Sequence, residues 1–161
     1  MTEPAAAHRS DAPFIALDNV RKVYRTREGE VEAIRNVTMS VRAGELVSIV
    51  GPSGCGKTTL LKILAGLHPH DEGEVRIGTA DEPFDPKRDI GMVFQQPLLL
   101  KWRRILHNVL LPAEILGLNM AEARDRARDL LHLGGLSDYA DAYPYQLSGG
   151  MQQRADIAGV R

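Results

Sequence analysis

The feature of this sequence that most constrains its fold is an eight-residue stretch between an apolar run and an amphipathic segment. Residues 51–58 read Gly-Pro-Ser-Gly-Cys-Gly-Lys-Thr, which fits the pattern G-x-x-x-x-G-K-[ST]. Residues 45–50 before it are short and apolar, and the apolar residues after it recur at helical spacing: Leu60, Ile63, Leu64 and Leu67. A strand, a glycine-rich turn and a helix in this order open a βαβ unit with a parallel sheet.

This glycine-rich turn has the chemistry of a phosphate-binding loop. Its backbone N–H groups can bind the negative charges of a nucleotide because glycine leaves no side chain in the way, and the helix beginning near Lys57 adds its positive dipole end. The Lys57 ammonium would reach the β- and γ-phosphates, and the Thr58 hydroxyl would hold Mg²⁺. The alternative is a glycine turn with an incidental Lys-Thr pair. We predict nucleotide binding by Gly51, Pro52, Ser53, Gly54, Cys55, Gly56, Lys57, Thr58 and Thr59.

Composition excludes several other classes of protein. The chain has 161 residues, about one domain's length, with 20 basic and 21 acidic residues and a net charge of -1. This balance argues against a strongly basic nucleic-acid binder. The single cysteine, Cys55, excludes an internal disulfide and a cysteine-based zinc site. No apolar run approaches the roughly 18 residues that a membrane-spanning helix needs, so we expect a soluble chain.

Periodicity divides the rest of the chain into a strand-rich part and a helical part. Residues 1–13 lack an apolar core and indicate a disordered tail. Residues 14–41 alternate like an antiparallel sheet with a turn at 27–30, and residues 74–77 and 90–94 are predicted as further strands, the second one buried. After Pro97 the pattern is helical. A helix within 102–117 should be kinked or split by Pro112, and Asn119 and Glu122 should cap a second helix that ends before Gly134-Gly135.

A second informative motif follows the helical part. Residues 147–154 read Leu-Ser-Gly-Gly-Met-Gln-Gln-Arg, in which Ser148 is a predicted helix N-cap and Gly149 and Gly150 expose backbone N–H groups. This is another helix start that could bind an anion. One nucleotide does not easily need two such cradles from one protomer, but two protomers arranged head to tail could use both.

Together the two motifs resemble the nucleotide-binding subunits of ATP-binding cassette (ABC) transporters, over residues 14–154. The resemblance implies that Tyr24 stacks on adenine and that Ser148, Gly149 and Gly150 act on the γ-phosphate of a second protomer's nucleotide. Residues 91–95, Gly-Met-Val-Phe-Gln, match the segment whose glutamine, here Gln95, contacts Mg²⁺ or the attacking water and faces the membrane subunit. Residues 97–102 and 108–112 resemble importers of the nitrate, sulfonate and taurine type, although Lys101 stands where a proline is expected.

The resemblance implies an α/β fold of the P-loop NTPase class: an ABC-type cassette with an N-terminal antiparallel β subdomain, an incomplete parallel core sheet and a helical subdomain. The expected divisions are a tail at 1–13, an ATP-binding core at 14–100, a helical subdomain at 101–146 and the signature motif at 147–161. The implied function is that of the ATPase subunit of an importer for a small anionic solute, with ATP and Mg²⁺ as cofactors. Implied partners are permease subunits, a second cassette and, indirectly, a solute-binding protein, at the cytoplasmic face of the inner membrane and without nucleic acid.

Other interpretations remain open at the level of sequence. Tyr24 could pack at a sheet edge, Gln95 could cap a strand end, and Ser148 could be a helix cap alone. The chain could be another P-loop enzyme, such as a small-molecule kinase or GTPase, although residues 147–154 would then have no role. It could also be a nucleotide-binding remnant without turnover.

The family pattern continues further than this sequence. Family members follow the signature helix with a strand ending in an aspartate for Mg²⁺ and a glutamate that activates water, and then a switch histidine; here residues 155–161 end the chain. Asp156 and Gly159 also stand where alanine and arginine are usual. The sequence therefore resembles a truncation or an altered reading frame, and we expect the isolated chain to bind ATP weakly at best, to hydrolyse it poorly and to aggregate.

Overall fold

A computed structural model describes residues 13–78 and 84–160 of the chain. These residues form two compact units, which divide at the bond between Pro86 and Lys87. The predicted disordered tail lies almost entirely outside the described residues. The predicted boundaries near residues 100 and 146 stay predictions about domain organisation.

The first unit contains a three-stranded antiparallel sheet. Its strands are β1 (Ile15–Thr26), β2 (Gly29–Val41) and β3 (Glu72–Ile77), in the order β2-β1-β3. A two-residue turn at 27–28 joins β1 to β2. This confirms the predicted antiparallel hairpin and the predicted strand at 74–77, and it places β1 at the centre, where both of its edges are paired.

The central strand is not regular. The register of β1 on β2 shifts between Leu17 and Val20, between Val20 and Lys22, and between Lys22 and Val23. Asn19 has a φ of 48°, in the left-handed region that asparagine tolerates better than most residues. Such β-bulges bend a strand and redirect its side chains.

The helix predicted after the glycine loop is α1 (Lys57–Leu64). Its Leu60 and Ile63 are buried in the core of this unit, against Leu17, Val20 and Ile34. The predicted apolar stripe is wrong at its last position: Leu67 is 55% exposed. The helix ends earlier because Gly66, with a φ of 68°, turns the chain out of the helical direction.

Two predicted strands do not form in the part of the chain that the structure describes. Residues 45–50 and 90–94 have no strand pairing, and Leu46 and Val50 are 97% and 90% exposed. The expected parallel core sheet is therefore absent from the described residues. A parallel strand is held by hydrogen bonds to neighbouring strands, and no described residue offers such a partner to either segment.

The second unit is helical. Its elements are α3 (Ile105–Val109), α4 (Leu111–Ile115), α5 (Met120–Leu133), α6 (Gly149–Gly159) and two 3-10 turns, Ser137–Tyr139 and Pro144–Gln146, while the single turn α2 (Pro86–Asp89) spans the division between the units. Its core is formed by Ile105, Val109, Leu110, Ala127, Leu131, Leu136, Leu147, Ala155 and Ala158. The mixed α/β architecture with a separate helical part agrees with the predicted class.

Local signals place the boundaries of these helices. Pro112 lies in the first turn of α4, where its missing N–H is not needed, so the predicted split of this helical segment is confirmed. The Asn119 side chain accepts a hydrogen bond of 3.0 Å from the Ala121 N–H and donates one of 2.7 Å to Glu122. At the other end of α5, Gly135 has a φ of 66°. The predicted start and end of this helix are confirmed.

Candidate functional site

One glycine of the phosphate loop, residues 51–58, lies close against strand β2. Gly56 has a φ of 94° and immediately precedes α1. A Cβ atom at this position would lie 2.2 Å from the carbonyl oxygen of Ala33 in β2, far closer than atoms can approach. Gly54 also has a positive φ, of 81°, but a Cβ there would meet nothing within 4 Å. The loop therefore requires glycine at position 56 for close packing as well as for its backbone conformation.

The Lys57 side chain folds back over the loop. Its Nζ donates hydrogen bonds to the carbonyl oxygens of Gly51 (2.7 Å) and Pro52 (2.6 Å) and lies 3.5 Å from the Cys55 Sγ. Two carbonyl oxygens in a loop would repel an anion, and the ammonium covers both of them. The positive charge is thereby held at the loop and at the N-terminus of α1, where the helix dipole adds to it.

The other loop residues leave the surface open. Pro52, Ser53 and Thr58 are exposed, and Thr59 is half-buried. Cys55 is an exposed free thiol whose Sγ lies over Gly51, since a Cβ at Gly51 would lie 2.8 Å from it. The loop carries two exposed hydroxyl groups, on Ser53 and Thr58, and hydroxyl oxygens suit a hard cation such as Mg²⁺. No group of three or more His, Cys, Asp or Glu side chains that could hold a metal ion occurs within 13–78 or 84–160.

Tyr24 lies on β1, in the same compact unit as the phosphate loop. It is paired with Val31 of β2, two residues from Ala33, on which Gly56 rests. Its half-buried ring meets the ring of His68 edge-on, with 6.3 Å between centroids, and the Nζ of Lys22 lies 5.7 Å from its centroid. Strand β2 is thus contacted at nearby positions by both groups: Val31 pairs with Tyr24, and the Ala33 carbonyl lies against Gly56.

Sequence reasoning missed an ionic network across the sheet near Tyr24. Arg21 pairs with Glu32 of β2 and Glu72 of β3, and Arg35 also pairs with Glu32. Hydrogen bonds from Arg21 and then Arg35 hold the pKa of the Glu32 carboxyl below its usual range. The only signal in the sequence was alternating charge, which does not identify partners on other strands.

A second pair involves Asp71, in the connection before β3. The Asp71 carboxylate accepts hydrogen bonds from the Val23 N–H (2.7 Å) and from the Lys22 ammonium (3.0 Å). These two contacts, in that order, lower the pKa of Asp71. This pair also escaped sequence reasoning, because Lys22 and Asp71 are far apart along the chain.

The second motif begins α6 as predicted. The Ser148 side chain caps the helix by accepting a hydrogen bond of 3.4 Å from the Met151 N–H. Gly149 and Gly150 form the first turn, and a Cβ at either position would meet nothing within 4 Å. Packing within the described residues therefore does not require glycine there, and the exposed surface beside Ser148 is open to an approaching group.

Side chains later in the same motif connect the start of α6 to other segments of its unit through hydrogen bonds. Gln152 donates to the carbonyl oxygens of Pro144 (2.9 Å) and Leu147 (3.1 Å). Gln153 donates to the Phe94 carbonyl (3.2 Å), the residue before Gln95. The motif therefore holds both the capped turn and the segment that carries Gln95.

Gln95 itself is an exposed residue in a bend. Three residues after Gln95, the Leu98 N–H donates a hydrogen bond of 3.1 Å to the Asp156 side chain. Gln95 and Ser148 belong to the second unit, and Tyr24 and the phosphate loop belong to the first. The structure therefore assembles two separate groups of predicted site residues.

A buried asparagine stabilises the segment that follows Gln95. Asn108 is 7% exposed; its Oδ1 accepts from the Leu100 N–H at 2.7 Å. Its Nδ2 donates to the carbonyl oxygens of Leu100, Arg103 and Arg104. Nothing in the sequence marks this residue as a structural centre, because its partners come from an irregular loop.

None of the helices within the described residues is both long and apolar enough to span a bilayer.

Comparison with known proteins places this geometry in a family. The family model described as ABC transporter matches residues 34–160. An uncharacterized ABC transporter ATP-binding protein of Methanocaldococcus jannaschii, MJ0412, is 42% identical over 144 residues, covering 89% of this chain and 54% of that protein. A methionine import ATP-binding protein of Bacillus cereus, MetN 3, is 38% identical over 152 residues, covering 90% of this chain and 45% of that protein.

The fold agrees with a solved structure as well. A dimeric structure of MJ0796, a bacterial ABC transporter cassette, superposes with a TM-score of 0.79 at 40% identity, covering 90% of this chain and 68% of the other. The chain spans about half the length of the two curated relatives described above. The matched region includes both the phosphate loop and the Ser148 motif, so the chain belongs to the ABC transporter family.

Proposed function

We propose that this chain binds ATP with Mg²⁺ as the nucleotide-binding part of an ABC-type ATPase. The observation that carries the proposal is the loop at Gly56, packed against the Ala33 carbonyl and covered by the Lys57 ammonium at the start of α1. An unhindered glycine backbone, a helix N-terminus and a positive charge together form a receptor for a triphosphate.

In this proposal each loop residue has a defined task. The Lys57 ammonium pairs with the β- and γ-phosphates, and the loop backbone from Gly51 to Thr59 surrounds the phosphate chain. The Thr58 hydroxyl would hold Mg²⁺, which would neutralise part of the phosphate charge. The family resemblance assigns the Gln95 side chain to the same ion. Tyr24 stacks on adenine, and this role is supported by its pairing with Val31 of β2, two residues from Ala33, the residue that Gly56 of the loop lies against.

The Ser148 motif acts on the nucleotide of a second protomer. Ser148, Gly149 and Gly150 face solvent and leave a capped helix N-terminus free to meet a γ-phosphate. Gln95 transmits the state of that site to a membrane subunit. The dimeric form of the similar cassette supports a pair of protomers, arranged head to tail in this proposal. The hydrogen bond from Gln153 to the Phe94 carbonyl supports a further point, that Gln95 and Ser148 move together as one body.

The wider role is import across a membrane. The name of the methionine import relative supports an importer. We propose that the chain works with permease subunits and, indirectly, a solute-binding protein at the cytoplasmic face of the inner membrane. The resemblance of residues 97–102 and 108–112 to importers of the nitrate, sulfonate and taurine type is the basis for proposing a small anionic solute of that kind. Genes adjacent to this one should encode a permease and a binding protein; their absence would count against import.

Titration calorimetry of the chain with ATP and Mg²⁺ tests nucleotide binding. We expect a saturable site that inorganic tripolyphosphate also occupies, because the loop recognises phosphate rather than the base. A lack of binding at millimolar ATP contradicts the proposal. A parallel assay of phosphate release separates an active ATPase from a non-hydrolysing protein, and preference for GTP or a phosphorylated small molecule would indicate another P-loop enzyme.

A further inference from the structure

The side chain of Asp71 continues the pairing of β1 where strand β3 begins. The ladder between β1 and β3 reaches Arg21, which is paired with Glu72. One step further, the Asp71 N–H donates to the Arg21 carbonyl (2.9 Å), and the Asp71 carboxylate accepts from the Val23 N–H (2.7 Å). A carboxylate oxygen therefore takes the place of the carbonyl oxygen that a longer β3 would offer to the residue before Tyr24.

The same carboxylate also holds Lys22. The Lys22 side chain is only 11% exposed and its ammonium lies 3.0 Å from an Asp71 oxygen. A buried ammonium is costly unless it is paired, so Asp71 determines where this charge can lie. That position is 5.7 Å from the centroid of the Tyr24 ring, within the range of a cation–π contact.

The connection that supplies Asp71 contacts the Tyr24 ring a second time. His68, three residues earlier, meets the ring edge-on at an interplanar angle of 80°. One short connection between α1 and β3 thus contacts the backbone before Tyr24, the cation near its ring and the ring itself. An open cleft lined in part by Lys22, Tyr24 and Asp71 lies beside these groups.

The register of β1 on β2 shifts at two steps next to Lys22, and such irregularities redirect side chains. From Val23 to Thr26 the pairing with β2 is regular, so this ladder determines the face of the sheet on which Tyr24 lies. The contacts with Lys22 and His68 act on the ring itself, beyond the backbone ladder.

We propose that Asp71 is a positioning residue for nucleotide recognition, acting through Lys22 and the Val23 amide to present the Tyr24 ring to the base. This inference rests on the proposed stacking of Tyr24 on adenine. It separates two parts of the affinity: Asp71 governs the contribution of the base and leaves the contribution of the triphosphate unchanged.

The experiment compares the affinities of the full 161-residue chain for ATP and for inorganic tripolyphosphate, which has no base. For Asp71→Ala we expect ATP to bind about tenfold more weakly, the scale of one lost base–aromatic contact, while tripolyphosphate binds within about twofold of the original affinity. Asp71→Asn keeps an acceptor for the Val23 N–H and should recover part of the loss. The matched control is Glu72→Gln, the neighbouring carboxylate that pairs with Arg21, which should leave both affinities unchanged.

Tyr24→Ala distinguishes the two levels of the proposal. If Tyr24→Ala lowers the ratio of ATP to tripolyphosphate affinity and Asp71→Ala does not, stacking by Tyr24 stands and the positioning role is overturned. If Tyr24→Ala leaves the ratio unchanged, base stacking itself fails, and the role of Asp71 with it. Equal losses for both ligands in Asp71→Ala and Asp71→Asn would mark Asp71 as structural only. Hydrogen exchange at the Val23 amide, expected to quicken in Asp71→Ala, reports whether the contact was removed.

Discussion

The ammonium group of Lys57 donates a hydrogen bond of 2.7 Å to the carbonyl oxygen of Gly51, six residues earlier in the chain. A second bond, of 2.6 Å, reaches the Pro52 carbonyl. The lysine therefore joins the two ends of the loop through hydrogen bonds. The positive charge that would bind phosphate is held within the loop by the same contacts.

Replacement of this lysine should separate binding from folding. For Lys57→Ala we expect ATP affinity to fall by about ten- to a hundredfold, because a charge-assisted contact to phosphate is lost, with α1 intact by circular dichroism. Calorimetric titration measures the affinity. Lys62→Ala is the control, since it removes a lysine from the last turn of the same helix; an equal loss in both variants would contradict a specific role for Lys57.

The contact between Gly56 and Ala33 predicts a difference between two glycines of one loop. Gly56→Ala should destabilise β1 and β2 by more than about 2 kcal/mol, because strain at positive φ is added to a contact of 2.2 Å with a backbone oxygen. Gly54→Ala should cost about 1 kcal/mol, since it has the strain without the contact. Native-state hydrogen exchange of residues 15–41 measures both. Equal effects would show that the close approach does not matter.

Acid should weaken the sheet through Glu32. Because its pKa is lower in the folded state than in the unfolded state, its ionic contribution to stability is complete above the unfolded-state pKa. The contribution is lost as the pH falls through the folded-state pKa, which lies below the ordinary value for a glutamate. Glu32→Gln should therefore lower the free energy of unfolding at pH 7 and flatten its decline in acid. Urea unfolding followed by circular dichroism between pH 7 and pH 2.5 measures this decline, with Glu28→Gln in the exposed turn as control.

The buried Asn108 predicts a loss of stability in the second unit. Asn108→Ala leaves polar backbone groups around Leu100 and Arg103 without this partner, which should cost about 2–3 kcal/mol. Trp102 is the only tryptophan and lies within the segment that Asn108 holds, so urea unfolding followed by tryptophan fluorescence reports the loss. Asn119→Ala removes a helix cap with its exposed hydrogen bond to Glu122 and should cost about 1 kcal/mol. A smaller effect at Asn108 than at Asn119 would contradict the proposed importance of the buried network.

Sequence alone predicted the parts of this protein that depend on near neighbours. These parts are the turn predicted within 27–30, the break at Pro112 and the helix caps at Asn119 and Ser148. Each arises from residues within a few positions of one another. The phosphate loop was recognisable for the same reason. Backbone conformation, capping and helical periodicity are local properties, and the residues that satisfy them are adjacent in the printed sequence.

Only the tertiary structure decided which distant groups meet. Three contacts join residues that are distant in the sequence. Gly56 packs against the Ala33 carbonyl, Asp71 binds the Lys22 ammonium and the Val23 amide, and Gln153 donates a hydrogen bond to the Phe94 carbonyl. The apolar runs at 45–50 and 90–94 illustrate the same limit, because a strand forms only when a neighbour completes its hydrogen bonds. Local preference determines what a segment can become, and the presence of a partner in space determines whether it does.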